Sequence, residues 1–334
     1  MASQASNVVR PSDAELLQAQ ADLWWVSLSY LTPMSLRCAV ELGIPTAIHR
    51  HGRAASPTDL IPALSLPSAK LPFLRRLLRL LPVRACSPST RPRRRRGAHQ
   101  PHLSGARLYL DALPRSGDGV GRVVQEGRGD AAIRGAGELH GATLFQESLE
   151  SLDADFHNMA NEDMDAHDNF GIEIALREFR DLFEGIQSMT YFCGTSGDDK
   201  FARAIVKAFP HIKCTVLAPP KMIGATKPDD GAMINYVEGD MFNFIPPAQT
   251  VALKLVLHHW TDEDCVKILA QCRKVIPSRE DGGKVIIGDI LIDHSGPMLE
   301  THLLMDIGMM TMTKGRQRDE NEWRDIFMKA GFSD

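Results

Sequence analysis

Between residues 189 and 291 the sequence alternates short apolar runs with amphipathic stretches, and this alternation constrains the fold more than any other feature. The apolar runs have strand length and lie at residues 189–193, 214–217, 234–238, 251–257 and 284–291. Helices are predicted at residues 200–209, after Thr261, and at residues 318–330. Strands that alternate with helices predict an α/β fold with a doubly wound parallel sheet, whose ligands bind beyond the carboxyl ends of the strands. The last two runs are almost wholly apolar, which predicts central strands.

The N-terminal part of the chain has a different pattern, that of short helices alone. A capping box that starts at Ser12 opens a first helix, and a second helix is predicted to end at Gly43. A third begins at Pro57, and a fourth covers residues 70–81. Short helices at this spacing are compatible with a winged-helix-like unit. We therefore predict an all-helical N-terminal domain over residues 1–83.

Residues 84–139 differ from the rest of the chain in composition. They contain eleven Arg and nine Gly but no Lys, Phe, Asn or Met, and they include a run of four arginines at residues 93–96. Three interpretations are open: a GC-rich stretch translated out of frame or from an intron, a disordered linker, or a basic patch that contacts nucleic acid. Under each of them the segment is not expected to pack.

Composition and charge exclude several classes of protein. With 334 residues, 43% of them apolar and 24% charged, the chain can bury a sizeable core without a disulfide framework. A net charge of −4 argues against nucleic acid as a partner of the whole molecule. No apolar run is long enough to span a membrane, and the N-terminus lacks the order of a secretory signal. The six cysteines form no CxxC pair, which predicts buried free thiols, no metal site and a cytoplasmic location.

Several residue types that bind cofactors lie at predicted strand ends. Gly194 and Gly197 follow the first strand, where a cofactor loop or a plain turn would fit equally. Asp240 and Met241 follow the third strand, as part of a site or of a turn with a buried methionine. Lys254 lies inside an apolar strand and therefore needs an acceptor or an aqueous pocket.

Two histidines follow the fourth strand. His258 and His259 stand where a site residue is expected, and an imidazole is a natural general base near neutral pH, although a structural role is equally open. Asp289 ends the next strand and is placed either to orient an imidazole or to serve in a cap or loop. The ends of these two strands are therefore the predicted centre of the chemistry.

Several motifs, in the right order, resemble those of plant S-adenosylmethionine-dependent O-methyltransferases of the caffeic acid, flavonoid and isoflavone type. The matching stretches are residues 15–20, 39–45, 204–210, 239–242, 253–265, 282–286, 315–323 and 330–332. The resemblance covers roughly residues 12–83 and 140–334. It implies a Rossmann-like methyltransferase domain over residues 140–334, an N-terminal dimerisation domain, a homodimer, S-adenosylmethionine as cofactor and a small phenolic substrate.

The resemblance also implies roles for particular residues. In the family a histidine takes the proton from a phenolic hydroxyl, and His258 holds that position between two flanking acids. Asp289 matches the first acid and Gln317 the second, which is Glu in many members. Six further positions match binding residues of the family. Gly197, Asp240, Met241 and Lys254 match cofactor contacts, and Met164 and Trp260 fall near the substrate pocket.

Departures from the family pattern lead us to expect impaired activity. Cys193 replaces the acid that precedes the family's glycine loop, and Asp198 and Asp199 would place two carboxylates towards the cofactor's own. Ala218 replaces the acid that binds the ribose, and His259 stands where Asp is usual. The sequence also ends before the last strand that relatives possess.

Three functions from different classes are thus compared. The leading hypothesis is an O-methyltransferase acting on a phenolic, phenylpropanoid or flavonoid-like molecule. The second is a catalytically inactive homologue that serves as a dimerisation partner. The third is a winged-helix nucleic-acid binder that uses Arg75, Arg76, Arg79 and the arginines at residues 93–96. The net acidity and the motifs of the sheet domain argue against it. The motifs do not identify the acceptor.

Overall fold

The structure is a computed structural model that describes residues 11–52, 54–86, 171–192, 199–219 and 234–333. Its helices are α1 (Asp13–Leu28), α2 (Leu31–Glu41), α3 (Ile44–His51), α4 (Pro57–Ala63), α5 (Leu71–Cys86), α6 (Ile172–Glu178), α7 (Lys200–Ala208), α8 (Asp262–Val275), α9 (Leu299–Met312) and α10 (Glu320–Lys329). Its strands are β1 (Ser188–Phe192), β2 (Lys213–Ala218), β3 (Ile234–Glu238), β4 (Thr250–Lys254) and β5 (Lys284–Gly288). Met164, Gly197 and nearly all of residues 84–139 lie outside the described residues, so predictions about them stay predictions.

The N-terminal helices begin and end where local chemistry requires. Ser12 and Glu15 form the predicted capping box at α1, and Pro57 occupies the first turn of α4. Gly43 has φ +74°, the left-handed backbone predicted for it. The structure adds a helix that the sequence pattern did not predict, α3, because its eight residues follow directly on the glycine that ends α2.

The five strands form one parallel sheet in the order β3-β2-β1-β4-β5, which confirms the doubly wound α/β prediction. Two predicted strands are shorter than expected. β4 ends at Lys254 instead of residue 257, because Leu255 has φ +52° and turns the chain out of the strand. β5 ends at Gly288 and is an outer strand among those described, so the prediction that it is central was wrong.

Alternate residues of the strands pack into two apolar clusters on opposite faces of the sheet. One cluster joins β1 and β2 to α7, through residues such as Met189, Val216 and Ile205. The other joins β2 and β4 to α8 and α10, through residues such as Leu253 and Ile268. Both faces are therefore covered, and the carboxyl ends of the strands remain as the edge where a site can form.

The sequence pattern missed α9, which packs against α1, α2 and α5. Leu303, Leu304 and Met310 of α9 are buried in the same cluster as Leu74 and Leu77 of α5. A helix that is buried on nearly all sides has no polar face, so its sequence lacks the helical period that predicts an amphipathic helix. The N-terminal helices and α9, which follows the sheet in the chain, consequently share one core.

The described cysteine side chains are free and buried, as predicted. Burial raises the pKa of Cys38, Cys214, Cys265 and Cys272 to about 12 in each case, so these thiols stay protonated. Among the described residues, His, Cys, Asp and Glu side chains form no group of three or more that could hold a metal ion. None of the helices described is long and apolar enough to cross a membrane.

Candidate active site

The end of β4 is shaped by a backbone conformation that leucine rarely adopts. Leu255 has φ +52°, and its N–H donates a 2.7 Å hydrogen bond to the carbonyl oxygen of Gly288 at the end of β5. Left-handed backbone is unfavourable for a residue with a branched side chain, so the surrounding contacts must hold it. The strained turn leads directly into the short 3₁₀ helix Leu257–His259, which carries both candidate histidines.

His258 lies beside a buried carboxylate. Its Nδ1 is 2.8 Å from Oδ1 of Asp289, and its backbone N–H donates a 3.1 Å hydrogen bond to Oδ2. The ring N–H does not point along the line to Oδ1, so the Nδ1 contact is an electrostatic one and not an aligned hydrogen bond. Asp289 also accepts a 2.8 Å hydrogen bond from the N–H of Ile290. The structure thus brings together the two residues that the sequence placed at neighbouring strand ends.

The second ring nitrogen of His258 faces its neighbour in the sequence. Nε2 of His258 is 3.0 Å from Nε2 of His259, and the two rings are nearly perpendicular at 87°. His258 is 4% exposed and His259 is 7% exposed. The nitrogen that a substrate would have to reach is therefore occupied in this structure.

A loop from the C-terminal part of the chain presses on this turn. A Cβ built on Gly315 would lie 1.9 Å from the carbonyl oxygen of His258, so the position accepts only glycine in this arrangement. Arg318 is fully buried and donates to the carbonyl oxygens of Leu257 and Trp260 at 3.2 Å and 2.7 Å. These contacts clamp both ends of the histidine turn.

Arg316 and Arg318 are held in turn by one carboxylate, that of Asp262. The shortest contacts to its oxygens are 2.8 Å from Arg316 and 2.9 Å from Arg318. Burial alone would raise the pKa of Asp262, but the two arginines outweigh it and lower that pKa. Asp262 opens α8, so the start of this helix is tied to the loop that covers the active-site turn.

Gln317 does not make the contact predicted for it. It is 1% exposed and its backbone N–H donates to Asp306, but neither side-chain polar atom has a hydrogen-bond partner within the described residues. The hydrogen bond that we expected from Gln317 to the imidazole of His258 is therefore absent. Nδ1 of His258 lies beside Asp289 instead, and its Nε2 faces His259.

A buried ion-pair cluster connects the same loop to the N-terminal helices, and the sequence analysis missed it. Asp306 of α9 binds Arg76 at 3.0 Å and Arg79 at 2.8 Å, and it accepts from the N–H of Gln317 at 2.9 Å. Arg76 also donates to the carbonyl oxygen of Gly315 at 3.3 Å. Burial lowers the pKa of Arg76, and the Asp306 carboxylate acts in the opposite direction. These two arginines thus face inwards, which argues against the nucleic-acid hypothesis. In the sequence, only their position on a helix among leucines could have indicated this inward orientation.

The ends of β2 and β3 form the other side of the candidate site. Asp240 is exposed, and it accepts hydrogen bonds from the N–H of Phe242 at 3.0 Å and from Asn243 Nδ2 at 2.7 Å. Met241 is 3% exposed and belongs to the apolar cluster, so its predicted contact with a cofactor has less support than that of Asp240. Lys254 is half-buried at the end of β4, beside Gly288.

We had expected Asp199 to leave an unbalanced negative charge, but its carboxylate has partners in the structure. It is 8% exposed and pairs with Arg203 at 2.9 Å, and the hydroxyl of Tyr236 donates a second hydrogen bond to it. Burial and the Asp199 contact raise the pKa of Tyr236 to about 12. The expected repulsion of a cofactor carboxylate by Asp199 is therefore corrected: this charge is neutralised by its own helix and by β3. Ala218, which is 1% exposed, brings no polar group to this edge.

Trp260 stands between the two sides. Its ring meets that of Phe242 edge to face, with ring centroids 4.8 Å apart, and its carbonyl oxygen is held by Arg318. The partly buried indole is thus fixed next to the Asp240 turn. Its predicted contact with a substrate stays a prediction.

Comparison with known families decides the identity of this arrangement. Residues 120–333 match the family model of the O-methyltransferase domain, and residues 24–85 match that of the O-methyltransferase dimerisation domain. This chain belongs to the O-methyltransferase family. The match to the O-methyltransferase domain begins at residue 120, within the 84–139 segment, and neither family model covers residues 86–119.

Two plant relatives match the O-methyltransferase over nearly its whole length. A flavonoid O-methyltransferase-like protein of Oryza sativa subsp. japonica is 50% identical, covering 100% of this chain and 95% of the relative. Daphnetin O-methyltransferase 1 of Secale cereale is 45% identical, covering 95% of this chain and 94% of the relative. The predicted plant family is thereby confirmed.

Solved structures confirm the fold class. Human N-acetylserotonin methyltransferase in complex with SAM has a TM-score of 0.55 and 19% identity, covering 98% of this chain and 94% of that one. An O-methyltransferase family 2 protein of Planctomyces limnophilus, in complex with apigenin, has a TM-score of 0.58 and 17% identity, covering 99% and 93%. The family match supports the predicted dependence on S-adenosylmethionine.

Proposed function

We propose that this O-methyltransferase methylates a hydroxyl group of a phenolic small molecule of the phenylpropanoid or flavonoid type, with His258 as the proton acceptor. The observation that carries the proposal is the 2.8 Å contact between Nδ1 of His258 and the buried carboxylate of Asp289 at the carboxyl end of the sheet. A carboxylate at this distance favours the tautomer with its proton on Nδ1, which leaves the lone pair of Nε2 to take a proton.

The protein's own part in the reaction is deprotonation and alignment. A phenolic hydroxyl has a pKa near 10, so a neutral imidazole can remove its proton while the oxygen forms its new bond to carbon. S-adenosylmethionine supplies, when bound, a methyl group on a positively charged sulfur, and the bond between that carbon and sulfur breaks as the new one forms. The proton remains on Nε2 of His258, where Asp289 stabilises the imidazolium charge.

The described residues at the ends of β2 and β3 fit the cofactor in part. Asp240 is exposed and keeps lone pairs beyond its two hydrogen bonds, so it can accept from an exocyclic amine. Asp199 is neutralised by Arg203 and does not oppose a second carboxylate. Ala218 offers no acceptor for hydroxyl groups, and we expect the affinity for the cofactor to be reduced for this reason.

The relatives support the choice of a phenolic acceptor and of a homodimer. One relative is named for daphnetin and another is flavonoid O-methyltransferase-like. The match to the dimerisation domain, together with exposed apolar side chains on α1 and α2, supports a homodimer formed by these helices. Those side chains are Leu17, Leu23, Val26, Leu36 and Val40. We place the protein in the cytoplasm because its described cysteines are free thiols.

A second candidate function is that of an inactive homologue which acts as a dimerisation partner. The occupied Nε2 of His258 and the missing acid at Ala218 favour it. The two candidates differ in what they predict for turnover, because an inactive partner transfers no methyl group at any phenol.

Methyl transfer from S-adenosylmethionine to daphnetin, apigenin and resveratrol tests the proposal. We expect product with at least one of them, and His258→Ala should lower kcat about 10²- to 10⁴-fold, the usual contribution of a general base. His294→Ala is the matched control, because His294 is exposed and pairs with Asp319 away from the turn. Turnover unchanged in His258→Ala would remove His258 from the mechanism. Calorimetric binding of S-adenosylmethionine without turnover on any phenol would favour the inactive partner.

A further inference from the structure

The contact between the two histidines has a defined hydrogen-bond direction. Nδ1 of His258 faces a carboxylate, which can only accept, so the neutral ring carries its proton on Nδ1 and a lone pair on Nε2. Two ring nitrogens 3.0 Å apart need one hydrogen between them, since two facing lone pairs would repel. That hydrogen must belong to His259. His259 Nε2–H is therefore the donor, and Nε2 of His258 is the acceptor.

Local structure holds the donor in place. Both rings are buried, and they lie in one 3₁₀ turn whose backbone is clamped by Arg318 and pressed by Gly315. Burial excludes the water that would otherwise compete for the hydrogen bond. Nε2 of His258, the base of the proposed reaction, is therefore capped by the N–H of His259.

We propose that His259 caps the base: its N–H occupies the proton-accepting nitrogen of His258 until the hydroxyl group of the acceptor displaces it. The inference rests on the proposed function, because it assigns that nitrogen the task of taking the substrate proton. The acceptor must then be a better hydrogen-bond donor to this nitrogen than an imidazole N–H. A phenolic O–H, which is far more acidic than that of an aliphatic alcohol, meets this condition best.

The capping hydrogen bond has two consequences for turnover. Each substrate hydroxyl must break the hydrogen bond between His259 and His258 before it can reach Nε2. Removal of the donor should therefore raise kcat/KM about 2- to 10-fold for phenols, the range that corresponds to one neutral hydrogen bond. The capping hydrogen bond belongs to the free enzyme and costs the same to break for every substrate, so the gain should be similar for weakly and strongly acidic phenols. The dependence of kcat/KM on phenol acidity should therefore have the same slope in the native protein and in a variant without the donor.

The kinetic test compares His259→Leu, which removes the donor, with His259→Gln, which keeps an N–H donor at the position. Both are measured on a series of substituted phenols of graded acidity at saturating S-adenosylmethionine. We expect a higher kcat/KM, by a similar factor for every phenol of the series, in His259→Leu only. Equal behaviour of the two variants, or a loss of turnover in His259→Leu comparable with that in His258→Ala, would overturn the proposal.

A spectroscopic test needs no variant of His259. In the full-length protein labelled with ¹⁵N-histidine, the resonances of His258 are assigned by their loss in His258→Gln. We expect Nδ1 of His258 to carry the proton and Nε2 to show the shift of a hydrogen-bonded lone pair. A proton on Nε2 of His258 would overturn the proposal whether or not turnover is detected. Absence of turnover with the expected spectrum would instead contradict the proposed function and leave the capped pair intact.

Discussion

At the ends of β4 and β5 several contacts fix the position of the histidine turn. At the ends of β2 and β3, few of the described side chains are fixed in a way that indicates one function. His258 has a buried carboxylate on one nitrogen and a second imidazole on the other, and its backbone oxygen lies against Gly315. On the opposite side, Ala218 is a buried methyl group and Asp240 is exposed to solvent. The contacts on the first side therefore hold one imidazole ring in place, whereas the contacts described on the second side balance the charge of Asp199.

The two sides also differ in how they are tied to the rest of the molecule. The loop that covers the histidine turn is held by Asp262 from α8 and by Asp306 from α9, and Asp306 in turn binds arginines of α5. Among the described residues, the nucleotide side, at the ends of β2 and β3, is tied by the ion pair between Asp199 and Arg203 at the start of α7 and by the hydrogen bond from Tyr236 of β3 to Asp199. We call the ends of β4 and β5, which carry His258 and Asp289, the base side. We expect changes there to lower turnover, and changes on the nucleotide side to weaken cofactor binding and leave kcat nearly unchanged.

Among variants that compare the two sides, the largest effect should follow from Asp289→Asn, which keeps the shape of the side chain and removes its charge. The neutral amide no longer stabilises the imidazolium, nor does it favour a proton on Nδ1 of His258. We expect kcat to fall about 10²- to 10³-fold, within the range for general base catalysis, with little change in the affinity for S-adenosylmethionine. Steady-state kinetics and calorimetry measure the two quantities.

Asp240→Asn is the matched control for that experiment. It makes the same chemical change on the nucleotide side, where the carboxylate is exposed. We expect a weaker affinity for S-adenosylmethionine and an unchanged kcat at saturation. The contrast between the two sides fails if Asp289→Asn retains a kcat within about threefold of the native value, or if both variants show the same pattern.

A pair of glycines gives the next test. Gly315→Ala would place a Cβ 1.9 Å from the carbonyl oxygen of His258, and backbone cannot yield as a side chain does. The histidine turn must move, and a misplacement of about 1 Å can cost about 10²-fold in turnover. Gly239→Ala meets only the end of the Leu217 side chain, at 2.8 Å, which can rotate away.

The expected outcome is a loss of turnover in Gly315→Ala and nearly native turnover in Gly239→Ala. Thermal unfolding separates a displaced turn from a chain that no longer folds, and calorimetry with S-adenosylmethionine reports whether the nucleotide side remains intact. Native turnover in a folded Gly315→Ala would show that the loop does not position His258. Loss of turnover in Gly239→Ala would show that the nucleotide side tolerates an added Cβ no better than the histidine turn does.

The contrast between the two sides also explains which features the sequence could predict. The strands, the capping boxes and the left-handed Gly43 depend on residues close together in the chain, and these predictions are confirmed. His258 and Asp289 were placed together because the carboxyl ends of neighbouring parallel strands meet at one edge. Local pattern and one topological rule thus located the centre of the site.

Features that depend on distant contacts could not be predicted. The early end of β4 follows from a left-handed leucine at 255, a conformation that its residue type argues against. The inward turn of Arg76 depends on Asp306, 230 positions away in the chain, and that acid lies on a helix that shows no polar face. Likewise, no motif reveals that Nε2 of His258 faces His259, or that the side chain of Gln317 has no hydrogen-bond partner among the described residues.

The smallest effect is expected from Arg203→Met on the nucleotide side. Asp199 would keep only the hydroxyl of Tyr236 as a partner, and its charge would act on any anion bound at this edge. Charges that interact near a protein surface change binding modestly, so we expect the Kd for S-adenosylmethionine to rise about 3- to 10-fold with kcat unchanged. Lys207→Met is the matched control, because it removes the same charge from an exposed position on the same helix. If both variants weaken binding equally, net charge and not the Asp199 pair governs this side; if kcat falls in Arg203→Met, the two sides are coupled more closely than their contacts indicate.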